Sequence, residues 1–264
     1  MRNGEDIAAL LHRLADASAD AILPRFRVSI PIEDKGIDHY DPVTEADRSA
    51  EAAIRKILKA QCPDDGIIGE EHGVERHDAD YVWVIDPIDG TRAFVQGLPT
   101  WGTLVGLLYQ GQPIAGMMSQ PYTGERFWSD GQKSYFRGQN GDVVPLIVRT
   151  AELAKAQMST TDPYLFCDTT EKAIFERLRK EVRVCRFGAD CYAYSLVAAG
   201  QIDIVLESSL QIYDIVALIP IIENAGGRVT SWDGGAAHNG GQIIACGDPQ
   251  LHAEVIELLQ SVQL

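Results

Sequence analysis

Positive charge is scarce in this sequence: 23 Lys and Arg stand against 38 Asp and Glu, a formal net charge of −15 at pH 7. Proteins that bind a nucleic-acid backbone present cations to its phosphates, so this imbalance argues against a nucleic-acid partner. No run of eighteen or more apolar residues occurs, and the first residues alternate charged and apolar types instead of placing a basic segment before an apolar block. A membrane partner is therefore not expected, and the expected location is cytoplasmic. The five cysteines, at 62, 167, 185, 191 and 246, include no C-x-x-C pair, and their odd number does not make a disulfide framework. Buried thiols in a reducing compartment are the expectation. None of the six histidines falls in an H-x-H or H-E-x-x-H spacing, which argues against zinc. Internal repeats and low-complexity linkers are also missing.

What is present is enough apolar material, 45% of 264 residues, to fill a sizeable core in one large domain or two fused lobes. Ile7, Leu10, Leu11, Leu14, Ala17 and Ala21 recur at helical spacing and predict an opening amphipathic helix that ends near Pro24. A second helix is expected after Asp41-Pro42-Val43-Thr44, with Thr44 and Asp47 spaced as a capping box and Ala50, Ala53, Ile54, Ile57 and Leu58 as its buried stripe. Tyr81 to Ile85 is a continuous apolar run, the pattern of a strand buried on both faces, and it points at Asp86. From about Leu104 to Val148, short runs such as Leu104 to Tyr109, Ile114 to Met118 and Arg126 to Ser129 predict a mostly antiparallel sheet with helices packed on it. After Arg149, helical patterns at 171–180, 190–200, 213–225 and 249–261 alternate with strands near 182–186, 202–207, 228–232 and 242–246. The expected division is an N-terminal α+β lobe over 1–145 and a C-terminal α/β lobe over 146–264.

The stretch Trp83-Val84-Ile85-Asp86-Pro87-Ile88-Asp89-Gly90-Thr91 carries the chemistry. Two aspartates at the end of a buried strand, separated by a rigid proline, offer hard oxygen ligands to Mg²⁺, and the Ile88 carbonyl adds another. Gly90-Thr91 opens a helical pattern whose first amides make a natural phosphate seat. A cation is also what an anionic substrate needs in so acidic a protein. Read alone, Asp89-Gly90 is a turn, and Asp86 or Asp214 a helix cap. Gly69-Glu70-Glu71 upstream and Tyr213-Asp214 downstream add acidic groups that shift the balance towards a metal site.

Gly69-Glu70-Glu71, the W-x-x-D-P-I-D-G-T run from Trp83 to Thr91, and Tyr213-Asp214 followed by Ala225-Gly226-Gly227 together resemble the two signatures of the inositol monophosphatase superfamily, in order and separation, over nearly the whole chain. The resemblance implies a layered αβαβα sandwich of the inositol monophosphatase and fructose-1,6-bisphosphatase type, here of α+β and α/β halves. It also implies a phosphoric monoester hydrolase that uses two or three Mg²⁺ ions, is inhibited by Li⁺ and forms a homodimer. By the same resemblance Glu70, Asp86, Asp89, Asp214 and the Ile88 carbonyl hold the metal, and Gly90 and Thr91 bind phosphate. Thr91 acts with Glu70 to orient and activate the attacking water, and Asp47 supports Thr91 by a hydrogen bond.

Three further segments resemble the histidinol-phosphate phosphatase branch: Gly97 to Thr103, Arg186 to Tyr194, and Tyr213 to Pro220. Histidinol carries an ammonium group, so its pocket gains from carboxylates beyond those on the metal, and Asp190 and Glu207 are the candidates. Their alternative readings are a helix N-cap and a strand-end surface charge. Trp101 and Tyr192 read as core aromatics, Pro220 as a helix kink and Gly226-Gly227 as a helix C-cap turn. The expected activity is hydrolysis of L-histidinol phosphate to L-histidinol and phosphate in histidine biosynthesis. The alternatives are an inositol-1-phosphatase or broad sugar phosphatase and, from a different class, a non-catalytic metal- or phosphate-binding regulator.

Overall fold

A computed structural model of the chain describes residues 2–29, 31–35 and 42–261. Asp41, part of the expected start of the second helix, lies outside the described residues. The chain opens with α1 (Gly4–Ile22), capped by the Asn3 side chain, which accepts from the Glu5 amide. A small antiparallel pair, β1 (Ile32–Asp34) and β2 (Pro42–Thr44), leads into α2 (Glu45–Gln61). The capping box at Thr44 and Asp47 is present, and Ala50, Ile54 and Leu58 are buried as the pattern required.

Next come β3 (Gly66–Gly69), β4 (Gly73–Glu75), β5 (Tyr81–Asp89), the short α3 (Thr91–Gln96), β6 (Gly102–Tyr109), β7 (Gln112–Gln120), β8 (Glu125–Ser129), β9 (Ser134–Arg137) and β10 (Val143–Pro145). They build an eight-stranded sheet in the order β10-β9-β8-β7-β6-β5-β3-β4, antiparallel except for the parallel pair β3 and β5. The second part runs β11 (Gln157–Thr160), α4 (Thr169–Glu181), β12 (Val184–Phe187), α5 (Asp190–Ala198), β13 (Ile204–Leu210), α6 (Ile212–Ile215), α7 (Leu218–Glu223), β14 (Arg228–Ser231), β15 (Gly241–Cys246) and α8 (Pro249–Gln260). Its five strands pair as β12-β11-β13-β15-β14, parallel among the first three and antiparallel beyond.

Alternation along the strands sets the layers, because neighbouring residues face opposite sides of a sheet. Val105 and Leu107 of β6 join Leu11, Leu14, Ile54 and Leu58 under α1 and α2. Leu104, from the other face, meets Val197 of α5, Ile221 of α7 and Val205 of β13 in the central core. Ile204 and Leu206 face the opposite way, towards Leu178 of α4 and Val255 of α8. Helix, sheet, helix, sheet and helix layers follow, the αβαβα sandwich.

Several local expectations change. The helix expected over 213–225 is two short helices, since Pro220 lacks the N–H that would bond the Val216 carbonyl and its ring crowds that carbonyl. The break at Val216 and Ala217 lies directly on the eight-stranded sheet: a Cβ on Gly116 would sit 2.1 Å from the Ala217 carbonyl oxygen, and one on Gly106 2.6 Å from Val216 Cγ1. Strands β9, β10 and β11 are not marked by the sequence pattern. Cys191 and Cys246 are buried, but Cys62 and Cys185 are half-buried and Cys167 is exposed in the loop before the α4 cap, so the expectation of buried thiols fails for three of the five. Trp101 is a core residue as expected, packed against Phe26 and Phe94. Among the described residues no helix is long and apolar enough to cross a membrane.

Candidate active site

Strand β5 runs past the expected Ile85 to Asp89, and its register against β6 shifts between Asp86 and Asp89. Pro87, with no N–H to give a ladder, sits inside that shift. Asp86 is tied back by accepting the Ile88 amide (3.0 Å), and Thr91 Oγ1 donates to the Ile88 carbonyl (3.0 Å). Gly90 caps α3 in the left-handed region at φ 82°. From the other half of the chain, α6 supplies Asp214, which accepts the Gln211 amide at 2.6 Å and so is a helix cap as well. The glycines of β6 and β7 let the α6–α7 break approach the sheet and bring Asp214 to the end of β5.

The result is a cluster in which one oxygen from each of Asp86, Asp89 and Asp214 lies within 4.8 Å of the others. Burial, and then mutual repulsion, drives the Asp86 and Asp214 carboxyls well above their ordinary range; burial raises Asp89 also, opposed by its bonds from Cys191. Three converging carboxylates with this electrostatic cost are suited to a hard divalent cation, which relieves both terms. The residues therefore fit the expected metal.

Glu70 follows β3, its amide donating to the Ile85 carbonyl (3.2 Å), and its side chain lines the same cavity of about 410 Å³ as Asp86, Asp89, Gly90, Thr91 and Asp214. Burial pushes its carboxyl up to about 7, against the opposing pull of Lys35, whose ammonium lies 3.1 Å from Glu70 and 2.8 Å from Glu71. A cation thus already sits on Glu70 in this structure. Lys35 was not singled out by sequence, and neither was Glu51. The buried Glu51 on α2 accepts the amides of Glu71 (2.7 Å) and His72 (3.1 Å) and pairs with Arg55 (2.7 Å), fixing the turn that carries Glu70.

The expected bond between Asp47 and Thr91 is not made here. Asp47 Oδ2 accepts both the Thr44 amide (2.8 Å) and the Thr44 hydroxyl (2.7 Å), and the one donor hydrogen of Thr91 is committed to Ile88. Asp47 Oδ1 is buried without a partner. The capping role is therefore what its geometry carries, with burial raising its carboxyl to about 6.

Asp190 and Glu207 line the same cavity. Asp190 opens α5 at φ 44°, a strained value for a residue with a Cβ, and its carboxylate accepts from Thr100 Oγ1 (3.3 Å). It packs over Gly90, where a Cβ would lie 3.0 Å from the Asp190 Cβ. Burial first, and then Asp89, pushes the Asp190 carboxyl up to about 7. Glu207 is buried, unlike a strand-end surface charge; its Oε1 accepts the Thr161 amide (2.7 Å) and hydroxyl (2.8 Å), and burial raises its carboxyl to about 8. Tyr192 turns away and donates to Glu125 (2.7 Å). Tyr194, one turn beyond Asp190, lines the cavity.

A sandwich of this kind with an acidic cluster at a broken strand end defines a class of phosphatases. A sequence model of the inositol monophosphatase family matches residues 3–264, and the chain belongs to that family. It is 41% identical over 96% of its length to the chloroplastic bifunctional phosphatase IMPL2 of Arabidopsis thaliana, covering 75% of that protein. It is 35% identical over 94% of its length to a histidinol-phosphatase of Mycobacterium tuberculosis, covering 97% of that chain. Among solved structures, an inositol monophosphatase from Zymomonas mobilis superposes with a TM-score of 0.86 at 39% identity, over 98% of this chain and all of the other. The protein is a phosphatase of this family.

Proposed function

We propose that this phosphatase hydrolyses L-histidinol phosphate to L-histidinol and inorganic phosphate with Mg²⁺. The carrying observation is Asp190, a half-buried carboxylate held in a left-handed backbone over Gly90 and beside Asp89. Strain of this sort persists where the surroundings over-determine a position, and here it holds a negative group over Gly90, next to Asp89 of the cluster. Glu207 adds a second carboxylate to the lining of the same cavity. Two carboxylates that burial drives upward gain most from a cationic partner, and the ammonium of histidinol supplies one.

Glu70, Asp86, Asp89, Asp214 and the Ile88 carbonyl would hold two or three Mg²⁺ ions, which when bound neutralise phosphate and make water acidic enough to attack phosphorus. The chain's own groups orient the reaction. Gly90 and Thr91 border the phosphate position, Thr91 is held by Ile88, and Glu70 stands on the fixed turn beside it. Asp190 and Glu207 receive the leaving alcohol. The histidinol-phosphatase likeness supports this reading, while the likeness to an inositol monophosphatase keeps inositol 1-phosphate as the second candidate. A homodimer in the cytoplasm completes the proposal, and sedimentation velocity tests the assembly.

The test is a panel of phosphomonoesters offered to purified protein with Mg²⁺, with released phosphate measured. The highest kcat/KM is expected on L-histidinol phosphate. A clear preference for inositol 1-phosphate would reject the assignment.

A further inference from the structure

Tyr194 belongs to the central core, yet it also lines the site cavity, and its buried hydroxyl has no hydrogen-bond partner among the described residues. A phenol carries one donor and an acceptor, and leaving either buried and unpaired costs free energy, so an orphan of this kind calls for a partner that arrives later. Burial first, and then the charges of Glu207, Asp89 and Asp214, hold this phenol well above its ordinary range, and Glu207 lines the same cavity. Asp89 already accepts the Cys191 amide (2.8 Å) and Asp214 the Gln211 amide (2.6 Å). Glu207 is held through Oε1 by Thr161, which leaves the direction of its second oxygen to another group.

We propose that Tyr194 is a positioning residue for Glu207: when a polar leaving group enters, the phenol O–H donates to the second Glu207 oxygen and fixes that carboxylate towards the leaving group's amine or hydroxyl. The proposal rests on the reading of Glu207 as the leaving-group contact. It makes Tyr194 a determinant of specificity that acts through Glu207. A leaving group with neither amine nor aliphatic hydroxyl gains nothing from the arrangement.

Tyr194→Phe, Glu207→Gln and the double variant, each loaded with Mg²⁺, test it on L-histidinol phosphate, inositol 1-phosphate and p-nitrophenyl phosphate. For the preferred polar ester, kcat/KM relative to p-nitrophenyl phosphate should fall about 10- to 100-fold in Tyr194→Phe, mainly through KM, the loss expected for one hydrogen bond to a charged group. The double variant should be no worse than Glu207→Gln alone within about 3-fold, since the two act as one unit. Melting of Tyr194→Phe without substrate should stay level or rise, because the hydroxyl it removes is unpaired there. A selectivity ratio unchanged within about 2-fold, additive losses in the double variant, or a melting temperature lower by more than about 3 °C would each overturn the proposal. A wild-type preference for inositol 1-phosphate removes the histidinol assignment alone, and the same ratio is then read on inositol 1-phosphate.

Discussion

Asp86, buried, and Asp190, half-buried, are carboxylates of one cavity, and their surroundings separate their roles. Asp86 sits in the converging cluster with Asp89 and Asp214, and its electrostatic cost without a cation is set by burial and by like charges. Asp86→Asn keeps an acceptor for the Ile88 amide and removes a charge that the cluster does not balance. The expected result is a loss of phosphatase activity of at least about a thousandfold, the scale of losing a metal's charge stabilisation. The metal-free melting temperature should rise at the same time, and thermal unfolding in a chelator measures it; a fall would show that the cluster is balanced without metal. Asp190 lies outside the ligand set, so Asp190→Asn should spare the phosphate chemistry. On L-histidinol phosphate kcat/KM is expected to drop about 10- to 100-fold, with little change on inositol 1-phosphate. Equal losses on the two esters would remove Asp190 from leaving-group recognition.

Two packing arrangements carry the cluster, and they explain what the sequence could reveal. The β5 motif was legible because strand, proline, ligands and glycine are adjacent in the chain. Asp214 was legible as a further acidic group, but its place among the ligands came from the resemblance, since its arrival depends on Gly106 and Gly116 making room for the break that Pro220 forces. Glu51 and Arg55 have the i,i+4 spacing of a solvated helix pair, and nothing local says that Gly69 leaves space for the Glu51 carboxylate; a Cβ there would lie 2.0 Å from Glu51 Oε1. Tyr194 was hidden in an apolar helical pattern that reads as core. Lys35 belongs to a segment with no periodic signal. The buried pair gives a prediction at this scale. Glu51→Gln places a donor against the amide and guanidinium donors and leaves Arg55 with Glu75 (2.8 Å) as its remaining ion-pair partner, for a loss of about 1–3 kcal/mol. Denaturant midpoints should show it, and Arg55→Met in the same chain should recover part of the loss by removing the donor that the introduced side-chain amide opposes. Mg²⁺ affinity should remain weakened in Glu51→Gln, because the Glu70 turn loses its anchor.

At the scale of the whole molecule, the acidity that argues against a nucleic-acid partner is partly gathered inside one cavity, and this gives stability an unusual dependence on pH. Burial raises Asp47 to about 6, Glu70 and Asp190 to about 7 and Glu207 to about 8, against ordinary carboxyl values near 4. A raised carboxyl holds its proton in the folded chain after the unfolded chain has released it. Its contribution is fully present below about pH 4 and is lost as pH rises through the folded value. Two histidines work in the opposite direction. Burial lowers both His12 and His252 to about 4, so their contribution is present above about pH 6.5 and is lost as pH falls towards 4. Above pH 6.5 the histidines are neutral in both states and the carboxylates set the slope. Metal-free protein should therefore melt at progressively lower temperature between pH 6.5 and 8. Mg²⁺ binds the deprotonated ligands, so the stabilisation that saturating Mg²⁺ provides should grow across the same interval. Thermal unfolding at several pH values, in chelator and in excess Mg²⁺, measures both slopes. A metal-free melting temperature that is flat or rising through this window would mean that the cavity carboxylates titrate as ordinary surface groups, and the electrostatic argument for the cation would fall with it.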